Sequence, residues 1–453
     1  MRSIRFPLLL LSVAIISACS HTPENTLPPL PVNVAATSAV QVQADWQSFY
    51  QDPELNKLII MALDHNQDLR QAALQSAAFR AQYQIRQSDR LPDVAVQAEF
   101  SRQRTPITVG SNNSISQQSA LELGLVAYEL DLFDRIKNLE QAALNEYLAS
   151  MADERTVKLA LISDVATSWL SLLSYQQQSN LLSETLANYR ENLNLQLSLA
   201  AEGITSSVAV QQARLLVNQA QAELIVYQRL LKQEQHALEL LLGTALPDNI
   251  LPADFPALPK LPAELSADVL LQRPDIQAAE QRLYAANANV AAARAAYYPS
   301  IRLTAAAGTS SRALDDLFSA GSGSWRFLPQ ISLPIFTGGR LDASHDFATV
   351  QQDIRVAAYE KSIQQAFREV KDALTAHNHL TEQVLAQQQL VATARKLVTL
   401  ADERNQAGID SFFPVLDARR SLLVAEQQLL QTTLLQLKNE VFLLKALGGG
   451  VKA

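Results

Sequence analysis

The chain has 453 residues, of which 37 are Lys or Arg and 45 are Asp or Glu, for a net charge of −8. It contains no run of five basic residues, so nucleic-acid binding through a basic face is disfavoured. Mean hydropathy is near zero, and we expect no membrane-crossing helix after residue 18. Membrane-spanning β-strands stay open as a possibility, because the alternating apolar and polar residues of such strands average out in the mean hydropathy.

The first predicted element is a secretory signal. Arg2 and Arg5 precede an apolar run, Phe6–Ser17, which is shorter than the roughly 20 residues of a transmembrane helix. The only cysteine follows in the segment Ile16–Cys19, which resembles a bacterial lipobox. Cys19 is either an incidental thiol or, as we favour, the first mature residue, acylated with chains that anchor it to a membrane. The serine after it implies the outer membrane, and no cysteine remains for disulfides or metal.

Long stretches without glycine or proline predict long helices. They are rich in good helix formers and comprise residues 54–91, 136–202, 204–242, 275–298 and 341–407. The last would run roughly 100 Å as one helix, which indicates a coiled coil or the wall of a helical tunnel. Gly203 and Gly408 are expected to form the left-handed turns of two helical hairpins. Ser411 is expected to cap the helix that follows Gly408, with Pro414 in its first turn.

The two halves of the chain repeat one pattern. The spacing from Gly203 to Gly408 equals that from Gly243 to Gly448, the two glycines that end the second hairpin arms. We therefore interpret the chain as a tandem internal repeat. The predicted division is a signal peptide at 1–18, a lipid-anchored extended segment at 19–53, a first repeat at 54–246, a proline-rich linker at 247–268 and a second repeat at 269–453.

Each half also contains two segments with the alternation of half-buried strands, at about 92–104, 118–131, 299–310 and 324–336. The apolar residues expected to share a face within each strand are Val94, Val96, Ala98 and Phe100; Leu121, Leu123, Leu125 and Ala127; Ile301, Leu303 and Ala305; and Trp325, Phe327, Ile331 and Leu333. A soluble two-layer sheet would show similar alternation, but charges such as Glu99 and Arg302 repeat on the other face. Segments of about ten residues also suffice to cross a membrane at a tilt. Four strands do not close a barrel and lipid does not tolerate open edges, so membrane-embedded strands predict a barrel shared by several copies.

Four motifs carry a resemblance to a known family. They are WQSFYQDPELNKLIIMALDHNQDLRQA from Trp46, YELDLFDRI ending at Ile136, LLQRPDIQAAEQRLYAANANVAAARAAYYPSIRLT at 270–304, and LPQISLPIFTGGRL ending at Leu341. Together with the lipobox they resemble the outer-membrane efflux lipoproteins, the TolC-like channels that serve proton-driven RND-type pumps. The resemblance covers essentially the whole chain. One departure is Asp134, where the family commonly has glycine, so the geometry of this strand-to-helix junction is open.

The resemblance implies an α+β membrane protein. Three protomers would each give four strands to one twelve-stranded outer-membrane β-barrel, on a long periplasmic α-helical barrel with a mixed equatorial region. It also implies a passive conduit of a multidrug efflux system, with a periplasmic adaptor and an inner-membrane RND pump as partners. The protein would then lie lipid-anchored in the outer membrane, with most of its helical mass in the periplasm.

The family also implies functional positions on the hairpins. A constriction at the periplasmic tip would be formed by Phe413 and Asp417, which lie four residues apart on one helix face. Their first-half equivalents are Val208 and Gln212, so only the second hairpin would bring charge to the tip. Without the resemblance, Phe413 would be interpreted as core packing and Asp417 as a solvated helix charge. Adaptor docking is implied at the hairpin turns, at Gly203, Thr205, Gly408, Asp410 and Ser411.

Catalytic patterns are weak in this chain. Its histidines show no metal-ligand spacing, and there is no HExxH, GxSxG or phosphate-loop motif. Asp131 and Asp134 could be paired carboxylates, but helix capping is the better interpretation at a strand-to-helix junction. We expect no enzyme and no cofactor apart from the lipid on Cys19.

Two alternative functions stay open. One is a TolC-like protein-secretion channel. The other is a periplasmic coiled-coil lipoprotein without a pore, and this second alternative would leave the four strands unexplained.

Overall fold

A computed structural model describes residues 46–105, 114–247, 250, 254–256, 258–259 and 267–449. The predicted signal peptide, Cys19, the first part of the extended segment and most of the proline-rich linker lie outside the described residues. The part that is described is mostly helical, with one four-stranded antiparallel sheet.

The elements follow one another in the order that the sequence predicts, but the single helix predicted at 54–91 is wrong. Asn66 is extended and divides it into two helices, and its side chain accepts a hydrogen bond from the N–H of Leu69 at 2.9 Å, in the first turn of the second one. The elements are α1 (Trp46–Phe49), α2 (Pro53–His65), α3 (Gln67–Ser88), β1 (Val94–Thr105), β2 (Ser114–Leu130), α4 (Arg135–Ala201), α5 (Ser207–Leu242), α6 (Pro274–Ala295), β3 (Ser300–Ser311), β4 (Gly323–Ser332), α7 (Arg340–Gln406) and α8 (Phe413–Ala446), with short 3-10 turns at Ala267–Gln272 and Leu314–Asp316. The helices α4 and α7 each contain 67 residues, so each is about 100 Å long. The prediction of two uninterrupted long helices is therefore confirmed.

The chain packs into two compact units, each assembled from separated segments. The first unit contains Gln75–Met151 and Ala278–Glu360, and these segments hold all four strands. The second unit contains Ala152–Gln277, the chain from Lys361 onward, and the described residues up to Leu74. Each unit therefore draws residues from both halves of the sequence.

The sheet of the first unit has the strand order β1-β2-β3-β4. Its register places apolar residues of all four strands together, and we call this side the apolar face: Val94, Val96, Ala98, Phe100, Leu121, Leu123, Leu125, Ile301, Leu303, Ala305, Ala307, Trp325, Phe327 and Ile331. The opposite side, the polar face, holds Gln97, Glu99, Glu122, Glu129, Arg302 and Arg326. Val96 and Trp325 are 69% and 82% exposed, so the apolar face is left uncovered by the described residues. β1 and β4 are the edges, and β4 accommodates Pro329 because an edge strand tolerates a missing N–H.

Two residues of the predicted alternation are wrong. Leu333 is predicted on the apolar face of the fourth strand, but β4 ends at Ser332. The other is Ala127 of β2. Leu125 pairs with Ala305 but Tyr128 pairs with Leu303, so β2 contains an extra residue that forms a β-bulge. Ala127 lies within the bulge with φ 50°, in the left-handed region. The apolar face of β2 therefore continues through Tyr128 and not through Ala127.

The junction from β2 to α4 is organised by two aspartates. Asp131 accepts hydrogen bonds from the backbone N–H groups of Ile136 at 3.0 Å and Lys137 at 2.7 Å, which confirms its capping role. Asp134 has φ 57°, a left-handed conformation that glycine adopts most readily and that aspartate tolerates better than most residues. The departure from the family's glycine therefore does not prevent the left-handed turn.

The core of the second unit begins with the N-terminal helices. Trp169 of α4 is fully buried, and its Nε1 donates a hydrogen bond to Asp52 Oδ2 at 2.9 Å. Asp52 also caps α2 by accepting a hydrogen bond from the N–H of Glu54 at 2.9 Å. Buried residues of α1, α2 and the segment between them are Trp46, Phe49, Tyr50, Leu55, Leu58, Ile59 and Ala62. The WQSFYQDPELN motif is thus a core and capping motif.

The arginine of the RPDI motif contacts residues of three helices, and all of these residues lie within the second unit. Arg273 Nη2 lies 2.7 Å from Asp275 Oδ2 and 2.8 Å from Glu369 Oε2, and its side chain is only 9% exposed. Its Nη1 donates to the carbonyl of Ala446 at 2.9 Å, near the end of α8. A planar guanidinium makes several such bonds at once, which an ammonium does not.

Although no membrane-crossing helix is expected after residue 18, one helix among the described residues is, by length and composition, apolar enough to cross a membrane. An 18-residue window within α4 reaches a mean hydropathy of 1.3, and 67% of that window is buried inside the protein. Helices that pack on several sides carry apolar residues all around, so this composition fits a core helix.

Candidate functional site

Both long hairpins turn at a glycine in the left-handed conformation. Gly203 follows α4 with φ 70°, and Gly408 follows α7 with φ 72°. In each turn the N–H groups of the glycine and of the next residue donate to carbonyls three and five residues back, at 2.9 to 3.1 Å. This Schellman pattern satisfies the last carbonyls of a helix. The predicted left-handed role of the two glycines is confirmed, and both turns are exposed.

The second turn carries an ion pair that the first turn lacks. Arg404 Nε and Nη2 lie 2.6 and 3.2 Å from the carboxylate oxygens of Asp410. The hydrogen bond from Arg404 holds the pKa of Asp410 below its ordinary value. Thr205 occupies the corresponding position of the first turn, and its hydroxyl pairs with Gln196 Oε1 at 3.3 Å. The implied docking positions Thr205 and Asp410 therefore lie in turns of different chemistry.

Ser411 does not have its predicted capping role. In the first hairpin, Ser206 caps α5 by accepting a hydrogen bond from the N–H of Ala209 at 3.3 Å. Ser411 is the corresponding residue, but the N-cap of α8 is Phe412, without a side-chain hydrogen bond. The physical reason is that Pro414 stands where Ala209 stands and has no N–H to donate. Pro414 does lie in the first turn of α8, as predicted.

Phe413 and Asp417 lie on the exposed side of α8. Phe413 is 59% exposed, so it is not part of the core of this chain. Asp417 is also exposed and accepts a hydrogen bond from Arg420 Nη2 at 2.6 Å. The buried side of the same turn is formed by Val415 and Ala418, which pack against α7. The two gate candidates thus point away from the hairpin seam, where another chain or solvent can meet them.

Two ion pairs that the sequence analysis missed connect the arms of the second hairpin. Arg419 Nη2 lies 3.2 Å from both carboxylate oxygens of Asp402, and Arg395 Nη2 lies 2.7 Å from Glu426 Oε1. The partners of each pair are equally distant from the middle of the turn, as residues of facing antiparallel helices must be. Opposite charges at such mirrored positions are the signal that would have revealed both pairs.

Cys19 lies outside the described residues, so its predicted lipidation has no structural account. Among the residues that are described, no group of three His, Cys, Asp or Glu side chains is placed to hold a metal ion. The exposed turns, the gate candidates and the apolar face of the sheet are therefore the features on which function is argued.

Comparison with known proteins gives consistent similarities. The family model described as "Outer membrane efflux protein" matches residues 58–244 and 265–449. The toluene efflux pump outer membrane protein TtgF of Pseudomonas putida is 45% identical over 459 residues, which cover 97% of this chain and 95% of that protein. A crystal structure of a membrane protein from Pseudomonas aeruginosa superposes with a TM-score of 0.89 at 38% identity, over 95% of this chain and 98% of that one. The open state of the Neisseria gonorrhoeae MtrE outer membrane channel gives 0.88 at 36% identity, over 96% and 99%.

Proposed function

The chain belongs to the outer membrane efflux protein family, and from this premise we propose that three copies form one passive channel from the periplasm to the exterior. As an outer-membrane efflux protein it works within an efflux system. Its relatives are named as outer membrane proteins, several of them of efflux pumps. The proposal adds the trimer, the shared twelve-stranded barrel on a helical barrel, the tandem repeat, and the partners. Energy would come from an inner-membrane RND pump that is connected through a periplasmic adaptor.

The observation that supports the trimer is the unclosed amphipathic sheet. Its apolar face is exposed, and its edge strands β1 and β4 have no further strand beside them among the described residues. Backbone N–H and C=O groups without partners cost several kcal/mol each in lipid, on the order of the transfer of a bare amide. Strands from sister copies would supply the missing partners. A coiled-coil lipoprotein without a pore would have no use for such a sheet.

Native mass spectrometry of the detergent-extracted protein tests the trimer, and planar-bilayer recording tests the pore. We expect the mass of a complex of three chains, whose migration in gel electrophoresis changes on heating. In the bilayer we expect stepwise ion conductance. A monomer that leaves the bilayer without conductance would contradict the proposal.

We further propose that Phe413 and Asp417 form the constriction at the periplasmic tip. Around a threefold axis, the exposed Phe413 side chains would form an apolar collar beside three carboxylates. Each carboxylate would bring Arg420 with it, because the two groups lie 2.6 Å apart. The closed tip is then held by apolar contact among the Phe413 side chains, while each Asp417 neutralises Arg420 of its own chain. Loss of Asp417 would leave unpaired guanidinium groups that repel one another.

Single-channel conductance tests this assignment. The double substitution Phe413→Ala with Asp417→Ala should raise conductance above that of the unmodified chain. Val208→Ala is the matched control, since Val208 is the exposed equivalent of Phe413 on the first hairpin and should leave conductance unchanged. Equal conductance in all three proteins would refute the gate.

The adaptor is proposed to dock at the two exposed turns, at Gly203, Thr205, Gly408, Asp410 and Ser411. Cysteines introduced at Thr205 and Ser411 should cross-link to an adaptor when both proteins are expressed together. A cysteine at Ile225, which is exposed and about 30 Å from Thr205 along α5, is the control and should not cross-link. Cross-linking from Ile225 alone would move the docking surface away from the turns.

Two remaining proposals concern the lipid and the cargo. Cys19 is proposed to carry a covalent lipid, so labelled palmitate should be incorporated by the natural chain and not by Cys19→Ser.

The relatives are named for toluene, solvent and antibiotic efflux, and we propose small apolar or amphipathic compounds as cargo here. A deletion strain should become more susceptible to such compounds, and an unchanged susceptibility to all of them would contradict this.

A further inference from the structure

An ion pair crosses the polar face of the sheet. Arg326 Nη2 of β4 lies 3.0 Å from Glu122 Oε2 of β2, although β3 separates these two strands. On the strand between them, Gly308 is the neighbour of Glu122 and Ala306 is the neighbour of Arg326, so the contact passes over these two residues. The pair therefore connects two strands that share no backbone hydrogen bonds.

The space for this contact is provided by two small residues of β3. A β-carbon at Gly308 would lie 2.1 Å from the carbonyl oxygen of Leu121 and 2.7 Å from the Cα of Glu122. Position 308 is thus restricted to glycine, and position 306 contributes only a methyl group. No long side chain of β3 stands between the two strands at these positions, so the side chains of Glu122 and Arg326 meet above β3.

The described strands place three carboxylates and two guanidinium groups on the polar face. The paired strands place Glu99, Glu122 and Glu129 on this face against Arg302 and Arg326. Arg302 Nε lies 3.7 Å from Glu129 Oε2, so a second carboxylate on the face also has a guanidinium beside it. By contrast, Arg102 of β1 lies on the opposite side of the sheet, in line with Val96 and Phe100.

We propose that the Glu122–Arg326 pair makes the barrel lumen electrically neutral at the level of the pair, so that these two residues together add no selection of cargo by charge. The inference rests on the proposed trimeric channel, in which the polar face lines the lumen. Because the two opposite charges lie only 3.0 Å apart, their fields nearly cancel at the longer distances across the lumen. Removal of one partner would place three uncompensated charges around the lumen, because the trimer contains three copies of the pair.

The effect of such a ring is large enough to measure at low salt. One elementary charge at 10 Å in water changes the local concentration of a monovalent ion by about twofold. The Debye length is about 30 Å at 0.01 M salt, so three charges act together across the lumen. We expect the permeability ratio of K⁺ to Cl⁻ to change by about fivefold or more in each single variant.

Reversal potentials in a KCl gradient across a planar bilayer provide the test. Glu122→Gln should shift the channel toward anions, Arg326→Gln should shift it toward cations, and the double variant should return to the ratio of the unmodified chain. Arg102→Gln removes the same type of charge from the opposite face of the sheet and should cause no shift. Each variant is also made in the Asp417→Ala chain, so that charge at the proposed tip does not mask the result.

The outcomes separate this inference from the channel itself. If the unmodified protein forms no trimer and conducts no ions, the proposed function fails. If it conducts but the single variants keep the original reversal potential, the pair is only a structural contact and the inference is overturned. The exchanged pair, Glu122→Arg with Arg326→Glu, covers a folding defect, since it retains the contact and should keep both assembly and selectivity.

Discussion

Replacement of Gly243 by alanine is predicted to destabilise the second unit far more than the same change at Gly203. Both glycines follow a helix with nearly the same left-handed angle, φ 68° and 70°. An alanine in this conformation costs about 1–2 kcal/mol, and at Gly203 nothing lies within 4 Å of the added β-carbon, so this cost is the whole effect.

At Gly243 the added β-carbon would lie 2.5 Å from the carbonyl oxygen of His65 at the end of α2. That carbonyl has to move, at an overpacking cost of about 1–3 kcal/mol. The movement also disturbs the next residue, Asn66, whose Nδ2 donates to the carbonyl of Leu241 at 2.9 Å, a hydrogen bond worth about 1 kcal/mol net. Together with the conformational cost, the loss at Gly243 is about 3–6 kcal/mol.

The assay is guanidinium unfolding of the detergent-solubilised protein, followed by far-UV circular dichroism. We expect a small decrease of the unfolding midpoint for Gly203→Ala and a severalfold larger one for Gly243→Ala. Equal decreases in the two variants would refute the argument, because they would show that the close approach of His65 adds nothing to the conformational cost.

Three further predictions concern single side chains. Asp134→Gly should raise the unfolding midpoint, by about 0.5–1 kcal/mol in free energy, because glycine adopts its left-handed conformation without strain; a lower midpoint would contradict this. Arg273→Lys should lower the free energy of unfolding by about 3 kcal/mol, and with it the unfolding midpoint, because an ammonium cannot contact Glu369 and the other partners of Arg273 together. An unchanged midpoint would exclude this role. Arg404→Gln should loosen the second turn fully above the ordinary aspartate pKa of about 4. Because the pKa of Asp410 is lowered in the folded chain, the contribution of the pair is lost as the pH falls from there through the lower folded value. Hydrogen exchange measured by mass spectrometry should therefore differ from the parent at neutral pH and coincide with it in acid, and a difference that persists in acid would contradict the sign.

Helices and their turns were the most predictable features. Residues 341–407 contain no glycine or proline, and α7 runs over Arg340–Gln406. The left-handed role of Gly203 and Gly408 could be predicted because few other residues adopt such a turn at low cost. These features depend on local backbone preferences, which composition and spacing report directly.

The apolar and polar faces of the strands were also predictable, up to the bulge in β2. Period-two alternation assigns each side chain to a face as long as the pairing is regular. The extra residue between Leu125 and Tyr128 shifts that parity, and the sequence contains no glycine there to mark it. The capping prediction for Ser411 failed for a related reason, since the role of its hydroxyl depends on the N–H that Pro414 lacks.

The sequence by itself determined the long helices, the left-handed glycines, and the two-sided character of the strands, because each follows from local sterics and from the period of one element. Only the tertiary structure decided which charges meet. Arg273 contacts Glu369 and the end of α8, and Glu122 contacts Arg326 across a strand. In each case the partners lie far apart in the chain. Such contacts depend on the register of elements that pack side by side, and no local pattern specifies that register.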